Sequence, residues 1–135
     1  MSEFFVSIVC DDCEEFSVVI EDDGRVAYAY LLENTAIIGQ VWLYNQVDTP
    51  KETTWDEDQM PFLNPLEFVG DSFLIKPIED NVAVQVKWKY LDTNKSIEAH
   101  VFIRKELVAI LRPNAEPGWS LMVNKDGPLA KKWIM

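Results

Sequence analysis

Residues 82–104 read VAVQVKWKYLDTNKSIEAHVFIR, two runs in which apolar and polar residues alternate on either side of a polar break. A period of two is the mark of a strand, because successive side chains leave opposite faces of a sheet. In the first run Val82, Val84, Val86, Trp88 and Tyr90 share one face, with Gln85, Lys87 and Lys89 on the other. In the return run Ile97, Ala99, Val101 and Ile103 oppose Glu98, His100, Phe102 and Arg104. A two-residue turn at Thr93-Asn94 pairs Trp88 with Ala99 and Val86 with Val101. It also sets Lys89 opposite Glu98 and Lys87 opposite His100. Both faces are chemically matched in this register, as a stable hairpin requires.

The same period runs through the first third of the chain. Phe4, Val6, Ile8 and Cys10 alternate, then Phe16, Val18 and Ile20, then Val26, Tyr28, Tyr30 and Leu32. A three-residue loop at Asp22-Asp23-Gly24, with Gly in the left-handed position, pairs Phe16 with Tyr30, Val18 with Tyr28 and Ile20 with Val26. Residues 36–44 are apolar on both faces, as expected of a central strand in a sheet covered on both sides. Phe73–Ile78 and Trp119–Val123 read as further strands. Lys105–Leu111 suits a helix by propensity or a strand by pattern, and Pro128–Ile134 reads as a short terminal helix. Residues 45–65, with Pro50, Pro61 and Pro65, break the pattern and are expected across one end of the sheet. The fold class that follows is mainly β: a single domain over 1–135, an antiparallel sandwich or flattened barrel with at most one or two short helices.

Charge divides the chain. Residues 1–67 hold fifteen Asp/Glu and two Lys/Arg, whereas residues 68–135 hold eight and ten. The net charge of −11 repels nucleic acid and anionic membranes and favours a basic protein partner. The first residues have no basic segment and no cleavage site of a secretion signal. No stretch has the length of a membrane span. A cytoplasmic protein with reduced thiols is expected.

The chemistry-bearing patterns are sparse. Cys10-Asp11-Asp12-Cys13 has the spacing of a redox or metal pair, but its carboxylates push the thiols toward the protonated, unreactive form. A zinc site lacks a second pair. His100, the only histidine, has Glu98 and Arg104 on its own strand face but no nucleophile placed by any motif, and a partly exposed position beside Lys87 is expected. The acidic runs lack the alternating spacing of a calcium loop. No catalytic residue, cofactor or metal is therefore assigned.

The acidic runs instead suggest a binding face made of Asp11, Asp12, Glu14, Glu15, Asp22, Asp23, Asp56, Glu57 and Asp58, with Trp55 as an aromatic anchor. In a meander the first two clusters fall at opposite ends of the sheet, so they bracket it. The leading expectation is an acidic, non-enzymatic binding module, in one form an immunity-type inhibitor of a basic protein. A second is a small-molecule carrier with a cavity beside Ala27, Ala29, Gly39 and Trp42 and residues 45–65 as its lid. A third is a carboxylate-dependent hydrolase, which needs one carboxyl group with a raised pKa in a cleft.

Overall fold

Among the described residues the alternating runs become strands. The computed structural model describes residues 3–10, 14–45, 62–64, 78, 83–91, 96–115, 117–121, 123 and 125–132. Their strands are β1 (Phe4–Val9), β2 (Phe16–Asp22), β3 (Val26–Glu33), β4 (Ala36–Asn45), β5 (Val84–Leu91), β6 (Ser96–Ile103), β7 (Glu106–Leu111), β8 (Trp119–Ser120) and β9 (Lys131–Lys132). They form two sheets, ordered β1-β2-β3-β4 and β5-β6-β7-β8-β9. All neighbours are antiparallel except β8 and β9, which run parallel. The protein is a β-sandwich, its sheets are not closed into a barrel, and no α-helix occurs among the described residues.

One core lies between the sheets. Val18, Ile20, Ala27, Ala29, Leu31 and Val41 come from the first, and Ala99, Val101, Ile103, Ala109 and Leu111 from the second. Val18, Ile20, Leu31, Val41, Val101 and Leu111 are wholly buried. Full burial of one such side chain contributes roughly 1.5–3 kcal/mol, so these rows set the register of both sheets. The outer edge of β4 is also engaged. Asn114 N donates to Ile38 O at 2.6 Å, Gly118 N to Gln40 O at 2.7 Å, and Trp42 N to Leu129 O at 3.0 Å.

The β5–β6 hairpin has the register read from its sequence, with Trp88 on Ala99, Val86 on Val101, Lys89 on Glu98 and Lys87 on His100. The β2–β3 hairpin does not. Its pairs are Phe16 with Glu33, Val18 with Leu31, Ile20 with Ala29 and Asp22 with Ala27. The strand runs on to Asp22 because side chains close the turn. Asp22 Oδ1 accepts from Gly24 N at 3.0 Å, and Asp23 Oδ1 accepts from Arg25 N at 2.8 Å and Val26 N at 2.9 Å. Gly24, at φ 89°, supplies the left-handed residue of this longer turn. The shift turns Ala27, Ala29 and Leu31 to the core, and puts Tyr28, Tyr30 and Leu32 on the outer face.

Residues 106–111 are a strand, not a helix, because pairing with β6 buries Val108, Ala109 and Leu111 in the shared core. Burial overrides their helical propensity. The turn into β7 uses Arg104 at φ 51° and Lys105 at φ 70°. Consecutive left-handed residues form the hairpin turn that Asn-Gly fills most easily. At the C-terminus Lys131–Lys132 forms a strand beside β8 where a helix was expected; Lys131 N donates to Gly118 O at 2.9 Å. Of the expected strand over 73–78, only Ile78 is among the described residues.

Candidate functional site

The outer face of the first sheet is built from three cross-strand rows. Pairing places Phe5, Glu21, Tyr28 and Trp42 in one row, Ser7, Val19, Tyr30 and Gln40 in the next, and Val9, Ser17, Leu32 and Ile37 in the third. Most of these side chains are apolar. One end is covered: Tyr28 Oη donates to Phe62 O at 2.5 Å, and Trp42 Nε1 donates to Asn45 Oδ1 at 2.9 Å. Asn45 in turn holds Asn64 through Asn45 Nδ2 to Asn64 O at 2.9 Å and Asn64 N to Asn45 Oδ1 at 3.0 Å. Tyr28 and Trp42 are buried there. The β1 side of that row and the far end of the face are open: Phe5 is 65% exposed, and Val9 and Ile37, both in the third row, are 52% and 54% exposed. These are the exposed large hydrophobic residues among those described, and all of them lie on this face. The covering expected over both sides of β4 thus stops short of Ile37.

Carboxylates border the same face. Glu21 lies within its first row and is exposed, as are Glu3, Glu14, Glu15 and Glu33 around it. Glu3, Phe4, Phe5, Glu21, Asp22 and Asp23 line a hollow at the start of β1. Glu14 and Glu15 lie in the turn before β2, while Asp22 and Asp23 lie at its far end. Residues 16–21 of β2 separate the two pairs by about 20 Å. The acidic clusters therefore bracket the sheet, as its meander order requires.

Asp22 is not part of that surface. It is 1% exposed and accepts from Tyr44 Oη at 2.6 Å, while Tyr44 Oη accepts from Ile78 N at 3.0 Å. Burial, reinforced by the hydrogen bond to Asp22, raises the Tyr44 pKa well above that of free tyrosine. Asp22 thus ties the β2 turn to β4 and to residue 78, a structural role that alternation alone did not separate from Asp23. Asp23 is half-buried and lies 3.9 Å from Arg25. Asp11, Asp12, Trp55, Asp56, Glu57 and Asp58 lie outside the described residues.

The second sheet inverts this pattern. Its outer face carries Lys87 and Lys89 on β5, Glu98, His100 and Phe102 on β6, Ile110 on β7 and Trp119 on β8. Glu98 and His100 are 5% and 8% exposed. Glu98 Oε1 accepts from His100 Nε2, and Glu98 Oε2 accepts from Arg112 Nε. Burial pushes the Glu98 carboxyl group upward, but the bonds from His100 and Arg112 outweigh it and hold the pKa below the usual carboxylate range. That is the wrong direction for a general acid. Arg112 also lies 5.0 Å from the Trp119 ring centre, with Lys131 at 5.2 Å. Lys87 stands 4.9 Å from the Phe102 ring. Glu98 is thus bonded to Arg112, which follows β7, as well as to His100. The β6–β7 register reveals this, and an unassigned 105–111 segment concealed it. His100 is more buried than its sequence position suggested, and Trp119 belongs to a strand.

Of the positions expected beside a small-molecule cavity, Ala27 and Ala29 are wholly buried in the core. A Cβ on Gly39 would lie 2.9 Å from Arg112 O, so the missing side chain admits a neighbouring backbone. Cys10 is buried beside Phe16 and Ile97, with its N–H bonded to Phe16 O at 2.9 Å. Among the described residues no group of His, Cys, Asp and Glu is arranged to hold a metal ion, and no helix is long and apolar enough to cross a membrane.

Fold and site together define a two-sheet β-sandwich with one partly open apolar face bordered by carboxylates. No protein-family model matches the chain, and neither the curated proteins nor the solved structures yield a significant match.

Proposed function

We propose that this protein is a non-enzymatic binding module for a basic protein, and that it docks through the outer face of the β1–β4 sheet. The observation that carries this reading is the coincidence of Phe5, Val9 and Ile37, all more than half exposed, on one acid-bordered face. A single exposed apolar residue is ordinary, but several on one face rimmed by carboxylates mark an interaction surface. The apolar residues would supply affinity. The carboxylates Glu14, Glu15, Glu21 and Asp23 would speed encounter with a cationic surface and reject acidic partners. The sequence adds Asp11, Asp12, Asp56, Glu57 and Asp58 to that field, with Trp55 as a candidate anchor. An inhibitor of the immunity type is one concrete form: carboxylates occupy the cationic groove in which a basic enzyme binds substrate phosphates.

The test is capture of partners from the native host's lysate at low and at physiological salt, with wild type and a Phe5→Ser/Ile37→Ser double variant as bait. The expected result is a basic protein held by wild type, weakened roughly tenfold or more by the double variant and released as salt rises. A partner held equally by both baits and at both salt concentrations would overturn this reading.

A further inference from the structure

β1 ends its sheet, and among the described residues no strand pairs with its outer edge. Edge strands in natural proteins are usually blunted by charge, proline, a bulge or shortness, because an open ladder recruits other chains. β1 has none of these devices. Its six residues, Phe4-Phe5-Val6-Ser7-Ile8-Val9, contain neither charge nor proline. Their register against β2 runs without a shift, unlike that between β3 and β4.

Both faces of β1 are incompletely covered. Phe5 and Val9 are exposed on the outer face. Phe4, Val6 and Ile8 pack against the core yet are only partly buried, while Val18 and Ile20 on the adjoining strand are wholly buried. A strand laid along this edge would cover both rows and pair the open backbone groups at once. The ends of β1 select its charge. The hollow at the start of the strand has Glu3, Glu21 and Asp23 in its lining, and Glu14 and Glu15 stand exposed in the turn after its other end. A second copy pairing edge to edge would bring these carboxylates together on chains that each carry −11, which disfavours it.

The geometry points to the outer edge of β1 as the acceptor for an extended, cationic segment of a partner protein, added as a further strand of the sheet. This contact presupposes the docking face proposed above and identifies the backbone through which it works. In such strand addition, main-chain bonds supply affinity while alternate side chains and terminal charges supply specificity.

The probe is a synthetic peptide of about ten residues, with Lys at both ends and alternating Val and Thr between them. It is titrated into the isotope-labelled full chain at low salt. Two further versions carry backbone N-methyl groups, each on the alternate residues of one peptide edge. Modifying the peptide leaves the fold of the protein untouched. The expected result is saturable binding, with the amides of Phe4–Val9 shifted and protected from exchange. One N-methylated version should bind at least about tenfold more weakly and the other should retain most of the affinity, because only one edge of a strand joins the ladder.

Equal binding by both N-methylated versions overturns strand addition. If the Phe5, Val9 and Ile37 side-chain signals still move, the docking face survives and only the backbone contact is wrong. Equal binding by a version with Glu in place of Lys overturns the charge assignment. Protection of β1 that grows with protein concentration in the absence of peptide assigns the edge to a second copy and overturns the inference. An unmoved spectrum also overturns it, and the double-variant capture then decides separately whether the face itself binds.

Discussion

The two sheets break the rule of apolar inside and polar outside in opposite ways. The outer face of the first leaves Phe5, Val9 and Ile37 in water. The outer face of the second buries Glu98 and His100 and bonds Glu98 to both His100 and Arg112. The contrast separates two kinds of unusual residue. A buried carboxylate with a side-chain partner on each oxygen belongs to the fold, because its removal strands the groups bonded to it. An exposed phenylalanine at the end of a sheet contributes little to the fold, so its cost in solubility calls for another explanation.

The sharpest way to break this comparison is to remove one group from each sheet. Glu98→Ala leaves His100 and Arg112 without their shared acceptor. Urea denaturation at neutral pH should show a loss of roughly 2–3 kcal/mol, below the cost of a fully buried pair because Arg112 is partly solvated. Phe5→Ser and Ile37→Ser should each change stability by no more than about 0.5 kcal/mol, while weakening partner capture. A large loss of stability from Phe5→Ser would make that residue structural and erase the distinction.

Acid sharpens it further. The Glu98 pKa is lowered in the folded protein, so the carboxylate contributes stability above the usual carboxylate range and loses it as pH falls through the lowered value. Stability measured from neutrality to about pH 3 should therefore decline less steeply in Glu98→Gln than in wild type. Phe5→Ser should follow the wild-type slope. Parallel curves for wild type and Glu98→Gln would show that the Glu98 cluster does not govern this limb.

The smallest effect concerns the turn that joins β6 to β7. Lys105 sits at φ 70°, a conformation that costs a side-chain-bearing residue energy and glycine little. Lys105→Gly should raise stability by about 0.5–1 kcal/mol after the extra entropy of glycine in the unfolded chain is counted. Thermal unfolding of the variant checks it, and a lower midpoint would mean that the Lys105 side chain supports the second sheet.

Legibility differed between the sheets for a physical reason. In the β5–β6 hairpin one face is apolar and the other charged, so a slip by one residue would put Lys89 toward the core, and a single register survives. In β2 and β3 both faces offer apolar residues, and several registers look acceptable. Here the turn decided: the carboxylates of Asp22 and Asp23 capture backbone N–H groups, and Asp22 is further held by Tyr44 from β4. That last partner is far away in sequence. The Glu98–Arg112 bond was hidden in the same way, since it depends on how residues 106–111 pair with β6.

From its order of residues alone, this protein is an alternating, strand-forming chain with an acidic first half, because side-chain period and charge are local properties. Which apolar residues remain in water was decided by the tertiary structure. Phe4 and Phe5 are adjacent and chemically identical, yet one leans toward the core and the other away from it. Only the position of β1 at the end of its sheet, with no described strand beyond it, leaves Phe5 uncovered.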